Sequence, residues 1–189
     1  DNGGTINTYS NNTPLRGYKY MFGEGGVRIP LIVSWPGHLP ESETRSRVVS
    51  GMDVFPTVVR LAGGDPAPDL DGRVLLPKLA SKPIDAVHDH LCFSDGKGTW
   101  SIRQGDWKLI SSPGWNHLSY RLDAQNIAHR ADDVVYPAGL VLFNLKDDIG
   151  ETMDLAPKYP ERVQAMKALY EAWRAKMGKP VSGKVKRSK

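Results

Sequence analysis

The chain has 189 residues, of which 40% are hydrophobic and 24% charged. That balance excludes a disordered or low-complexity chain and predicts a buried core. No apolar run approaches the roughly 18 to 20 residues that cross a bilayer, because the longest, residues 29–35, is strand-sized and broken by Pro30. The net charge is +4, yet Lys184, Lys186, Arg187 and Lys189 crowd into the last six residues. The remainder is nearly neutral, which argues against nucleic acid as a partner. The first residue is Asp and no basic, apolar leader follows it. A signal peptide is therefore expected to be removed or to lie upstream.

In chain order, residues 1–14 are rich in Gly, Asn, Ser and Thr without apolar periodicity, and read as an exposed loop of the kind that often carries function. Asn11-Asn12-Thr13 within it fits a glycosylation acceptor pattern. The β-branched run VRIPLIVSW, residues 27–35, predicts a buried strand ended by Pro36-Gly37. Asp53 is placed to cap a helix running to Leu61, with Pro56 in its first turn and Gly63-Gly64 as the stop. Val54, Val58, Leu61 and Ala62 would share one face of it.

The run GGDPAPDLD and the short apolar segment after it read as a connection between two units. Strands are then predicted over residues 91–94, over 100–110 split by a turn at Gly105-Asp106, and over 140–145. The single cysteine, Cys92, lies in an apolar strand and reads as a small buried hydrophobe. Residues 113–137 are polar without clear periodicity and predict a functional or mobile insertion, in which Trp115, His117 and Arg121 could line a substrate pocket. The closing helix is the clearest element: Pro160 opens it, Val163, Met166, Leu169, Tyr170, Trp173 and Met177 form one stripe, and Gly178 ends it.

The pattern predicts two units, residues 1–80 and 81–178, the second an α+β subdomain with a small antiparallel sheet and a packed C-terminal helix, followed by a basic disordered tail over 179–189.

The chemistry-bearing stretch is Asp1-Asn2-Gly3-Gly4, followed by Leu15-Arg16-Gly17-Tyr18-Lys19 and Glu24-Gly25-Gly26-Val27-Arg28-Ile29-Pro30. An Asp beside an Asn offers two oxygen donors to a hard cation, although such pairs are also common in plain turns. In this order the three pieces resemble the sulfatase family of the alkaline phosphatase superfamily. The resemblance continues through Trp35-Pro36-Gly37, Met52-Asp53-Val54-Phe55-Pro56-Thr57, Asp71-Gly72-Arg73, Ile102-Arg103 with Gly105-Asp106-Trp107-Lys108-Leu109, Leu142-Phe143-Asn144-Leu145, and Glu151-x-x-Asp154-Leu155-Ala156.

That resemblance implies an α/β fold, with residues 1–80 as the end of the catalytic α/β domain, and a formylglycine- and calcium-dependent sulfuric ester hydrolase of which this chain would be a C-terminal fragment. It assigns Asp1 and Asn2 to calcium and Lys19 to the sulfate group. The expected substrate is a sulfated small molecule or carbohydrate, or an aryl sulfate. The expected location is periplasmic or secreted. Sulfatases of this type carry their nucleophile as a Cys, or a Ser, in a Cys-x-Pro-x-Arg setting, converted to formylglycine. Cys92 is followed by Phe93-Ser94-Asp95, so the nucleophile is expected upstream and the fragment alone is expected to be inactive.

Glu24 reads as support for the turn rather than an acid or base, Arg28 as an ion-pair partner, and Gly25-Gly26 as a tight backbone reversal into the strand. His88-Asp89-His90 could grip zinc, but no third ligand is evident. The alternatives are a non-catalytic sulfatase-like or sugar-binding module, and a phosphatase or phosphonate hydrolase of the same superfamily. Asp-Asn rather than Asp-His at the start argues against the latter, since amide oxygen suits calcium and imidazole suits zinc or manganese.

Overall fold

The computed structural model describes residues 2–5, 10–75, 87–113, 119–122, 128–131 and 138–178. The expected junction near residues 80–81 and the basic tail 179–189 lie outside them.

Four antiparallel strands form the main sheet: β1 (Leu91–Ser94), β2 (Trp100–Gln104), β3 (Trp107–Pro113) and β6 (Ala138–Asn144), in the order β1-β2-β3-β6. The β2–β3 hairpin turns through Gly105-Asp106, with Gln104 opposite Trp107. Gly105 has φ +57°. A two-residue hairpin turn needs a left-handed residue there if its twist is to match the strands, and glycine adopts that conformation without a Cβ clash. On the outer edge of β6, Leu142 N donates to Asp154 Oδ1 at 3.0 Å and Leu142 O accepts from Leu155 N at 2.8 Å. The chain thus folds back to satisfy an edge that would otherwise offer unpaired groups.

Strand residues alternate between two buried faces. On one face Ile102, Leu109 and Leu142 pack against Val163, Met166 and Tyr170 of the C-terminal helix α3 (Pro160–Lys176). Cys92 joins this cluster from its margin, and burial pushes its thiol up to about 12. The Tyr170 ring stacks on Trp100 with centroids 4.0 Å apart. Pro160 occupies the first turn of α3, where its missing N–H is no loss. On the other face Ile110, Val141, Phe143 and Leu145 meet Phe22 and Ile149.

Two strand predictions need correction. Residues 28–35 form no strand among the described residues, and Ile32 is 91% exposed. The β-branched pattern is present, but a strand exists only by pairing, and no described segment pairs with this one. Only residues 24–27 take regular structure here, as the short helix α1 (Glu24–Val27). Conversely, the stretch expected to be an irregular insertion contains two paired strands, β4 (Ser119–Leu122) and β5 (Ala128–Ala131), with Arg121 opposite His129. Trp115 and His117 lie outside the described residues.

The predicted helix is present as α2 (Val54–Leu61), but Asp53 does not cap it in the expected way. A 3-10 turn over Gly51–Asp53 precedes it, with Ser50 as N-cap and Asp53 closing a capping box. Its apolar face does line up, yet Phe55 is 63% exposed and Val54, Val58 and Leu61 are also uncovered. Asp53 is fully buried and accepts from Ser50 N and Arg73 N, each at 2.7 Å, while His88 Nε2 sits 2.8 Å from its Oδ1.

Candidate active site

The three N-terminal motifs interlock through their backbones. Gly3 N donates to Gly26 O at 3.2 Å, Lys19 N donates to Gly4 O at 3.1 Å, and Gly25 N donates to Arg16 O at 2.7 Å. Asn12 holds the same junction from the side. Its Nδ2 donates to Gly4 O and Gly17 O, and its Oδ1 accepts from Gly4 N. The turn after Asn2, the loop around Lys19 and the Glu-Gly-Gly motif are therefore one structure. Asn2 is exposed at its start, while Asp1 lies outside the described residues.

The glycines serve a different purpose from the one expected. Gly25 and Gly26 sit in α1 and do not reverse the chain with positive φ. Instead the Lys19 loop packs directly on them. A Cβ on Gly25 would lie 2.3 Å from Gly17 O, and one on Gly26 would lie 2.2 Å from Met21 O. Close backbone approach is the property that excludes a side chain here.

Lys19 is half-buried and its Nζ lies 5.8 Å from the centroid of the Tyr20 ring. Tyr20 has φ +80° and is 84% exposed. A left-handed backbone costs a bulky L-residue about 1–2 kcal/mol, and a ring this exposed recovers little of that through burial.

Beneath this loop lies a buried charge cluster. Lys108, on β3, is 0% exposed. Strand alternation turns its side chain away from α3, where it meets Glu24 Oε1 at 2.9 Å and Glu151 Oε1 at 3.1 Å. Glu24 also pairs with Arg103 at 2.8 Å and with Arg28 at 3.6 Å. Glu151 Oε2 accepts from Glu24 N at 2.7 Å, and the Arg16 guanidinium donates to Glu151 O.

The two carboxyls respond oppositely. Burial pushes Glu24 up, but Lys108, Arg103 and Arg28 outweigh it and hold the carboxyl below its ordinary range. For Glu151 burial prevails over Lys108 and the Glu24 N–H, and the carboxyl is raised. Glu24 and Arg28 thus have the structural roles expected of them. Sequence reasoning gave Lys108, Glu151, Arg16 and Asn12 no role in the site, although the first three lie in the resembling motifs. A further signal was a lysine in a strand flanked by Trp107, Leu109 and Ile110.

His88 is engaged with Asp53, and among the described residues no three His, Cys, Asp or Glu side chains converge on a possible metal position. The donors expected for calcium are the Asn2 amide and the Asp1 carboxylate. Both are hard oxygen ligands, and Asn2 is open to solvent.

The sheet, α3 and the interlocked loops define a mixed α/β protein whose fold is shared with solved structures. The crystal structure of Ps i-CgsB in complex with k-i-k-neocarrahexaose matches with a TM-score of 0.72 and 25% identity, over 95% of this chain and 36% of that one. A family model described as Sulfatase matches residues 1–64. A sulfatase of Formosa agariphila is 30% identical over 86% of this chain and 28% of its own length. Mouse steryl-sulfatase is 32% identical over 88% of this chain and 29% of its own length. The chain belongs to the sulfatase family, and it spans about a third of the length of the relatives it matches. Family membership is consistent with calcium and formylglycine. No helix among the described residues is long and apolar enough to cross a membrane.

Proposed function

We propose that this chain supplies one side of the active site of a sulfuric ester hydrolase, with Lys19 gripping the sulfate group and Asp1 and Asn2 binding calcium. The observation that carries the reading is the hydrogen bond from Lys19 N to Gly4 O, which fixes the lysine loop beside the turn that follows Asn2. Cleavage of a sulfate ester redistributes negative charge over the sulfuryl oxygens. An ammonium held in place beside them lowers the barrier without reorganising during the reaction. Bound calcium would add a second fixed positive charge on the same oxygens. Formylglycine, the nucleophile of the family, is expected on a segment outside this chain.

A sulfated carbohydrate is the favoured substrate class, with aryl sulfates as the alternative. The support is a structural neighbour at 25% identity whose crystal holds a neocarrahexaose. The exposed Tyr20 ring beside Lys19 suits a sugar or aryl face. Residues 1–80 belong in this reading to the catalytic domain and 81–178 to a C-terminal subdomain. The uncovered apolar run 29–35 and the α2 face are where the rest of that domain packs. On family resemblance, the enzyme works in the periplasm or outside the cell.

The test is made in the full-length enzyme by replacing Asp1 and Asn2 singly with Ala. Each variant should lose calcium by elemental analysis and lose hydrolysis of sulfated sugars and aryl sulfates in parallel. Calcium content equal to the parent's in both variants would remove these residues from the metal site.

A further inference from the structure

We infer that Glu151, far from the proposed sulfate site in sequence, is a positioning residue for Lys19, because one residue holds both ends of the loop that carries that lysine. The inference rests on the sulfate-binding reading of Lys19. At the start of the loop the Arg16 guanidinium donates to Glu151 O, and at its end Glu24 N donates to Glu151 Oε2 at 2.7 Å. Between these ties residues 16–23 form no helix or strand. Their placement therefore depends on how the ends are held, together with the seat on Gly25 and Gly26, the Lys19 N–Gly4 O and Asn12 Nδ2–Gly17 O hydrogen bonds and the packing of Phe22 on the second core cluster.

Glu151 is itself anchored. It is fully buried, and its Oε1 has no hydrogen-bond partner in the described structure but faces Lys108 Nζ at 3.1 Å. Lys108 belongs to β3, which pairs on both sides within the sheet. A chain of contacts thus runs from an inner strand of the sheet through Lys108 and Glu151 to the Lys19 loop. Glu151 adopts φ +53°, a conformation that favours Gly or Asn. A carboxylate kept there despite the backbone preference is explained by the contacts its oxygens make. The burial that raises this carboxyl also means that its ties form in a water-poor site, where each counts for more.

The experiment is a double-mutant cycle in the full-length enzyme, reading kcat/KM on an aryl sulfate together with Tm. The four proteins are the parent, Glu151→Ala, Lys19→Ala and the double variant. With Lys19 present, Glu151→Ala should lower kcat/KM about tenfold to a hundredfold, the loss typical of an ångström-scale misplacement. On the Lys19→Ala background the same change should cost under about twofold, since the group it positions is gone. Glu151→Gln keeps an acceptor for Glu24 N–H and should recover most of the loss.

Equal losses in both backgrounds, or a lower Tm with unchanged kcat/KM, overturn the inference and leave Lys19 in the site. No loss from Lys19→Ala alone overturns the sulfate-binding reading, and the positioning role falls with it. If Glu151→Ala does not fold, Arg16→Met removes the guanidinium of the entry tie, leaves the Glu24 N–Glu151 Oε2 tie in place, and is run through the same cycle. Dependence on Lys19 is again expected, and additivity contradicts the inference.

Discussion

Lys108 Nζ stands 2.9 Å from Glu24 Oε1 and 3.1 Å from Glu151 Oε1, in a site from which all three side chains are hidden from water. Removing the cation leaves Glu151 facing the Glu24 carboxyl with no cation of its own, while Glu24 keeps Arg103 and Arg28. Lys108→Met should cost about 3–5 kcal/mol of stability, the usual penalty for breaking a buried pair from one side. Adding Glu151→Gln should return part of it, because the stranded carboxyl is then gone. Equilibrium urea unfolding of the parent and the two variants measures both effects.

Gly26 offers a sharper probe of the loop seat. A Cβ there would stand 2.2 Å from Met21 O and 2.5 Å from Tyr18 O, two backbone atoms that cannot swing aside. Gly26→Ala should displace the Lys19 loop and lower kcat/KM in the full-length enzyme by more than about tenfold. Gly51→Ala, where a Cβ meets nothing within 4 Å, serves as the control and should leave activity unchanged.

The opposed shifts of the two buried carboxyls predict opposite pH dependences. Glu24 is lowered on folding, so the stability it contributes is present above its ordinary range and is lost as pH falls through its folded value. Glu151 is raised, so its contribution is complete at low pH and declines as pH rises through its folded value. Relative to the parent, Glu24→Gln should therefore show its largest deficit at neutral pH and a shrinking one in acid. Glu151→Gln should show the reverse trend. Urea midpoints taken across the acid range check the signs.

In the core under α3, Met166 is fully buried among Ile102, Leu109 and Leu142. Met166→Ala should cost about 2–5 kcal/mol by leaving a cavity that the sheet cannot collapse into. A loss below about 1 kcal/mol in urea unfolding would show that the helix is not anchored through this side chain.

The elements legible in the sequence are those whose pattern is local. The β2–β3 hairpin followed from Gly105-Asp106 between two apolar runs, and α3 from Pro160 and its stripe of Val163, Met166 and Tyr170. Residues 28–35 carry an equally clear strand pattern, but pairing partners are not encoded in the segment itself. The β4–β5 pair was not legible because each strand is only four residues long, Ala-His-Arg-Ala of β5 does not alternate apolar and polar residues, and the ladder is a backbone property.

The site was legible as motifs but not as geometry. The order of Asn2, Lys19 and Glu24 marked three pieces of one site, and the backbone hydrogen bonds that join them could not be read from residue types. Lys108 and Glu24 are separated by 84 positions. Nothing in either neighbourhood names the other as its partner. Glu151 lay in a recognised motif without a role, since a buried carboxylate and a solvated one have the same letter.

The most direct test of the sulfate-binding reading is kcat/KM for a sulfate ester with Lys19→Ala in the full-length enzyme. Loss of a fixed cation from the sulfuryl oxygens should reduce it by about a hundredfold or more, with Tm unchanged because Lys19 is held by backbone bonds. A variant with the parent's kcat/KM would contradict the assignment of Lys19 to the sulfate group.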